Sequence, residues 1–527
     1  MLHKLLSIFS TVVVVMACQS KATQQEETPK TATQLCVGIA SLKGIDALAS
    51  PKLMKDIGNN HLTVSTKSKE AQIWFDQGLN HLHGFWHLEA YRAFREVIKQ
   101  DSTCAMGYWG IAMCAPGFGG NENVWNEAID KAISLEKAVT PFEKAIIDAT
   151  AVLVKKGIAA AQDPFRKLYK AYPNEPEAIA FSSIILRQHE NETTQQEVKK
   201  LLEDGMKKYP DNAGLMHYYV HVMELRPEFA HAFPIANKML KTGENSPHLT
   251  HMPGHLYYLA GDYQKAVDIY QHARSQELAY HKAEKIPLSA NQNYIHNLQF
   301  LAIAQAELGN YEQTFKTAKE LAHLMLTNDI PNNGATQVLL YEGRILPALV
   351  AIRYRKWQDA ESELNFWLHT PDAPIENNMV KLYLQAMLAY VQGMKNIDET
   401  KNAEMAIQKG GELTQIMGTF EQNGSQYQNT PEFKVINETY DIMSMARYEL
   451  AGWIDNLDPK QPFNDAAWKE AINLQNVIKY DEPPRLMYPI EESLARLHKY
   501  RGETAATQKA IAAALKRRPK SKMIAKM

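Results

Sequence analysis

Trp74-Phe75-Asp76-Gln77-Gly78-Leu79, followed by Ala90, Phe94 and Val97, decides the fold of this 527-residue chain. The order is a large residue, a glycine, an alanine and an aromatic, at spacings that set them on helix faces. Gly78 and Ala90 are small enough to let two antiparallel helices approach closely. Trp74 and Phe94 are expected to fill the seam between them. The phase continues through Cys104-Ala105-Met106-Gly107-Tyr108-Trp109-Gly110-Ile111-Ala112. It returns as Ala161, Phe165 and Leu168 before Pro173, and as Val198, Leu202 and Gly205 before Pro210. Gly254, Tyr257, Ala266, Tyr270 and Ala273 form another unit, with Gly261-Asp262-Tyr263 as its turn, and Gly309-Asn310-Tyr311 makes the same turn again. Ala348, Ala360, Leu364 and Trp367 lead to Pro371; Ala495, Ile511 and Ala514 lead to Pro519. No run of alternating β-branched residues closed by a hairpin turn interrupts the series.

These segments resemble the tetratricopeptide repeat (TPR), a helix–turn–helix unit of about 34 residues. The chain is similar to bacterial TPR lipoproteins of unassigned activity. The segments Trp74 to Leu79, Cys104 to Ala112 and His251-Met252-Pro253-Gly254-His255 carry that likeness. The resemblance implies an all-α, TPR-type α-solenoid of about eleven helical hairpins. It is expected to run without a domain boundary over residues 51–527. Breaks fall at Ala115 to Asn123, Pro371 to Pro374 and Asp481 to Pro484, with an extra stretch at Lys282 to Asn293. In such arrays the front helix of each hairpin lines a concave groove, and the array acts as a binding scaffold.

The N-terminus reads as a targeting segment. Lys4 precedes an apolar run from Leu5 to Val15, too short for a good membrane span. Val15-Met16-Ala17-Cys18 resembles a bacterial lipobox. That implies a signal peptide over residues 1–17 and acylation of Cys18. Residues 18–50 are expected to be a flexible polar tether. The expected location is therefore the bacterial cell envelope, with the body lipid-anchored to a membrane. The formal net charge of −2 gives no sequence-wide pull toward nucleic acid. Of the remaining cysteines, Cys36, Cys104 and Cys114, no disulfide framework can be built.

Histidine supplies the one chemical signal. His217 and His221 form a His-x-x-x-His pair, and His251 and His255 repeat it 34 residues later. Equal positions on consecutive units should lie side by side. His248 extends the face of the second pair, and His296 occupies the corresponding part of the next front helix. His231 falls on an intervening segment and is expected to stand apart. Six histidines, His217, His221, His248, His251, His255 and His296, are thus expected to line one ligand-binding groove. His217, His221, His251 and His255 are the candidate metal ligands, since histidines one turn apart can chelate zinc, copper or iron. The general-base glutamate of zinc proteases is missing, because Tyr218 and Met252 follow the first histidines. Met216 and Met252 are candidate soft ligands. Pro253 complicates the second pair: a helix starting there would make that pair irregular. The alternative is a polar groove in which the histidines hydrogen-bond or pair with a carboxylate such as Glu342.

Other polar residues read as structural. His81, His83 and His87 are expected in turn packing or solvent, and Glu342 with Arg344 as a solvated pair. Trp109, Tyr257, Tyr258 and Tyr294 could stack on a sugar, but aromatic residues at helical spacing are commonly core. No phosphate loop, dinucleotide fingerprint or nucleophile elbow is present. The resulting expectation is a scaffold more than an enzyme, binding a protein, peptide or small ligand in the histidine-rich groove. A metal-binding protein or metalloenzyme using those histidines is the competing class. A supporting role in polysaccharide uptake is suggested by the anchor and length, which are similar to SusD-like glycan-capture lipoproteins. The chain departs from them in having repeats throughout.

Overall fold

The computed structural model describes residues 42–115, 122–188, 191–326, 333–370, 377–428, 430, 432–478 and 483–527. Among the described residues there are helices and no strands. Consecutive helices pair as antiparallel hairpins. The first is Lys69–His83 with His87–Gln100, followed by Ala105–Met113 with Glu122–Ser134, and by Pro141–Lys156 with Ile158–Ala171. Next come Pro176–Leu186 with Glu192–Lys208, Ala213–Met223 with Phe233–Thr242, and Pro247–Leu259 with Tyr263–Glu284. Gln292–Glu307 with Tyr311–Ala322, Leu346–Arg353 with Trp357–His369, and Asn378–Lys395 with Ala403–Gly424 continue the array. Glu432–Asp455 with Ala466–Val477 and Ile490–Tyr500 with Thr504–Arg517 close it, making eleven hairpins among the described residues. The fold is an all-α, TPR-type solenoid.

The packing follows the small-residue rule with one change of residue. A Cβ added at Gly78 would lie 2.7 Å from the Phe94 ring, and one at Gly110 would lie 2.4 Å from it. Phe94 therefore sits where both glycines make room. Its partner is Phe75, with ring centroids 5.6 Å apart, rather than Trp74, which is only half-buried. One residue of helix rotation separates the two. Gly254 repeats the device, since its Cβ would meet Tyr270 at 2.3 Å. Trp109, Tyr258 and Tyr294 are core residues, and Cys104 and Cys114 are buried free thiols. Arg344 is not one of a solvated pair. It is buried, donates to the Ala322 and Leu324 carbonyls and stacks 4.3 Å over Trp367.

The chain begins to pack before residue 51. Leu42 and Ile45 are buried, and Asp46 accepts from the Tyr91 hydroxyl at 3.2 Å. Residues 51–68 are an irregular strap laid across the repeats, so the regular solenoid starts at Lys69. Cys18, the signal segment and most of the expected tether lie outside the described residues, as do most of the expected breaks.

Both ends return to the middle of the array. Trp86, in the turn of the first hairpin, packs edge-on against Tyr280 at 4.5 Å, and the Arg92 guanidinium donates to the Tyr280 hydroxyl. At the other end, Gly261 in the sixth hairpin touches Pro519: a Cβ there would lie 2.1 Å from the proline carbonyl oxygen. The positive φ of 73° at Gly261 and this contact both require glycine.

Candidate metal centre

Three consecutive front helices hold the six histidines. Ala213–Met223 carries His217 and His221, Pro247–Leu259 carries His248, His251 and His255, and Gln292–Glu307 carries His296. Every residue of the first is buried. Three asparagines fix its start. Asn59 accepts from the Ala213 amide, Asn60 from Gly214 and Asn212 from Leu215, at 3.0, 3.1 and 2.8 Å. The strap and the local cap thus satisfy the free amides of the first turn. The second helix starts at Pro247, not at Pro253, so Pro253 lies inside it. Proline forfeits one main-chain bond there. His251 and His255 nevertheless remain a one-turn pair, with centroids 4.6 Å apart.

The six imidazoles form one connected set. Centroids are 4.8 Å apart for His217–His221, 5.0 Å for His217–His248, 5.9 Å for His221–His255 and 5.0 Å for His251–His296. They do not line an open groove. His296 is half-buried and the other five are buried, His217 and His255 completely. Their nitrogens fall into two triads, His217–His221–His248 and His251–His255–His296, each with all members within 4.8 Å of one another. Nitrogens around one ion at about 2.1 Å are roughly 3–3.5 Å apart, so modest side-chain rotations bring each triad to ligand geometry.

Hydrogen bonds fix the ring tautomers. Nδ1–H of His221 donates to one oxygen of Glu224 at 2.7 Å, and Nδ1–H of His255 donates to the other at 2.6 Å. Nδ1–H of His217 donates to the His83 carbonyl at 2.6 Å, and that of His251 to Oδ1 of Asn297 at 2.7 Å. The Asn297 amide is itself oriented by donating to the Tyr270 carbonyl. Because each acceptor is an oxygen without a proton, each bond places a proton on Nδ1 and turns Nε2 into the cluster. Nε2 of His217 and of His248 is buried with no hydrogen-bond partner. Nε2 of His251 and of His255 face each other at 2.6 Å. Two lone pairs at that distance repel unless a proton or an ion lies on them. Burial pulls His217 and His248 well below the ordinary histidine range, and neighbouring imidazoles add to the effect. These two rings are therefore held neutral, the form that binds metal.

Glu224 is the partner that sequence reasoning missed. Its only signal was the spacing His221-x-x-Glu224. Glu342 instead accepts from Gln299 at 2.8 Å and lies 3.6 Å from Arg485. Met216 and Met252 belong to the apolar core. His231 is exposed and stands apart, as expected. The histidines of the first hairpin are neither exposed nor incidental. His81 and His83 are buried, and His83 bonds Glu177 at 2.5 Å and the Tyr218 hydroxyl at 3.0 Å. These partners are remote in sequence, so no local pattern marked them. Phe85, in the same turn, stacks on the cluster, 4.6 Å from His217 and 5.4 Å from His248.

Six imidazoles with an orienting carboxylate suit zinc, copper, iron or nickel, and not the oxygen-seeking calcium or magnesium. A carboxylate that receives Nδ1–H of a ligating histidine is the usual outer support of such a centre. Glu224 supports one histidine from each triad.

No protein-family model matches this chain, and no curated protein matches it. Solved structures similar to it include human IFIT1 as a dimer with PPP-AAAA, at 12% identity over 84% of this chain and 82% of that one, with a TM-score of 0.33. The P58(IPK) TPR domain is 14% identical over 77% of this chain and 98% of its own, with a TM-score of 0.19. Naa15/Naa10 bound to HypK-THB is 9% identical over 87% and 85%, with a TM-score of 0.21. At such values the likeness carries no ligand or partner across, and the fold assignment rests on the hairpins themselves.

Proposed function

We propose that this chain is a metalloprotein: a TPR-type scaffold that binds transition-metal ions at two three-histidine sets, His217–His221–His248 and His251–His255–His296. The observation that carries the reading is the hydrogen-bond pattern. Four imidazoles have Nδ1–H pinned to fixed oxygens, so Nε2 is the ring atom each would offer a metal, and the ligand atoms of each set lie within 4.8 Å of one another. A peptide-binding groove has less support, because five of the six rings are buried. Glu224 orients His221 and His255 and couples the two sets. The lipobox-like Val15-Met16-Ala17-Cys18 supports placing this scaffold at a bacterial cell envelope, lipid-anchored through Cys18.

Metal analysis of protein purified without an affinity tag tests the centre. The expected result is stoichiometric zinc, copper or iron that is lost when His217 and His255 are both replaced by alanine, with helicity retained. Protein that stays metal-free after exposure to all three ions would end the reading. The anchor is tested separately by fatty-acid labelling, which Cys18→Ser should abolish.

A further inference from the structure

A cavity of about 370 Å³ opens onto the histidine cluster. Its floor carries His221 from one triad, His296 from the other, and His248. Its wall is largely apolar, formed in part by Phe181, Ile184 and Ile185, with the neutral amides of Gln188, Gln292 and Asn293 among them. Ile158 lies at its exposed side, with 41% of its surface open. The volume lies within the range of small-molecule sites and is too small for a folded peptide. Arg187 also borders the cavity, but its guanidinium is drawn to Glu224 at 3.9 Å. Apart from the histidines and Arg187, the lining is uncharged.

The turn of the first hairpin reaches the same place. Phe85, two residues before the back helix, has a φ of +52°. The same left-handed turn position is taken by Gly261, Gly309 and Gly502 and also by Arg355 and Lys401, so the conformation belongs to the repeat. What is particular to this turn is its side chain, because the Phe85 ring lies against His217, His221 and His248 and along the cavity.

We propose that the cavity is the binding chamber for a small, uncharged, mostly apolar molecule with one donor atom, of the phenol or aromatic-alcohol class, which ligates the histidine-bound ions. The inference rests on the metal reading above. Three histidines leave an ion with at least one open position, the hallmark of reactive rather than structural sites. The cavity is where a ligand reaches those positions, because members of both triads border it. The apolar wall holds the ring, and the ions take the oxygen.

Cobalt(II)-loaded protein provides the test, because its visible spectrum reports coordination. Metal content is measured first, so failure to bind metal is seen on its own. Phenol, 4-ethylphenol and 2-naphthol are then titrated, with ethylbenzene as the control lacking a donor atom. At least one phenol should bind and shift the spectrum, and ethylbenzene should leave it unchanged. Ile184→Trp should weaken phenol binding at least tenfold at unchanged cobalt content. Ile158→Glu, at an exposed position, does the same by adding charge and guards against misfolding of the first variant. Absence of binding by all three phenols, binding that survives both substitutions, or binding with an unchanged spectrum would each overturn the proposal.

Discussion

Two buried polar clusters sit where the ends of the solenoid meet its middle, and they are built on opposite principles. In the C-terminal one, Arg353 forms a two-pronged pair with Glu307 at 2.9 Å, bonds Glu492 at 3.0 Å and donates to the Met487 carbonyl. Burial pushes Glu307 up, but the Arg353 guanidinium outweighs it and holds the carboxyl below its usual range. Charge meets charge there, although the Arg353 Nε is left without a hydrogen bond. In the N-terminal one the same degree of burial encloses imidazoles: Nδ1 of His217, His221, His251 and His255 is bonded to oxygen, while Nε2 of His217 and of His248 has no partner. The first cluster is a clasp. The second has the form of a receptor for something positively charged and small. The contrast teaches that burial of polar groups does not by itself mark a site; buried nitrogens without partners set side by side, as at His217 and His248, do.

Five substitutions test that contrast. The largest effect belongs to the clasp. Arg353→Leu strands Glu307 and Glu492 in the interior and should cost about 3–5 kcal/mol in chemical denaturation, with metal content unaffected. A small loss would mean the two clusters do not differ as described. Glu224→Gln should do the reverse. It removes the charge that orients His221 and His255, so metal affinity should fall about 10–100-fold by competition with a chelator, with a modest change in unfolding. Unchanged affinity would detach Glu224 from the centre.

Gly254 lies between the histidines of the second front helix. Gly254→Leu should overpack against Tyr270 and cost about 1–3 kcal/mol. Gln264→Ala, on an exposed face nearby, should cost roughly 0.5 kcal/mol or less. Equal thermal shifts for the two would refute the repeat phase. The last effect concerns pH. Burial, then repulsion by Arg92, pulls His81 down to about 3. The folded protein keeps this ring neutral while the unfolded chain takes up a proton below its ordinary value near 6.5. The stability is therefore full above that pH and is lost as pH falls. His81→Phe should flatten the slope by up to about 1.4 kcal/mol per pH unit between about pH 6 and 4. An identical slope in the variant would show that His81 is not held neutral.

Much of this was legible in the chain. Gly78, Ala90 and Phe94 announced the hairpin because their contacts are local and periodic. His217, His221, His251 and His255 announced the cluster because a repeat copies positions as well as packing. The choice of Trp74 over Phe75 failed for a simple reason: adjacent residues differ by about 100° of helix rotation, and both are aromatic. Pro253 misled because local sequence places proline at a helix start, whereas neighbouring helices here carry the broken ladder through.

The sequence by itself determined the hairpins, their order and the histidine register, since these depend on residues within one or two repeats of each other. Only the tertiary structure decided that the register is buried. The first hairpin returns over more than a hundred residues to cover it, bringing the His83 carbonyl to His217 and the Phe85 ring onto the cluster. The strap does the same with Asn59 and Asn60 at the start of the His217 helix. Closure of that kind joins surfaces whose complementarity has no sequence period. It turned an expected groove surface into a set of mostly buried imidazoles reached through one cavity.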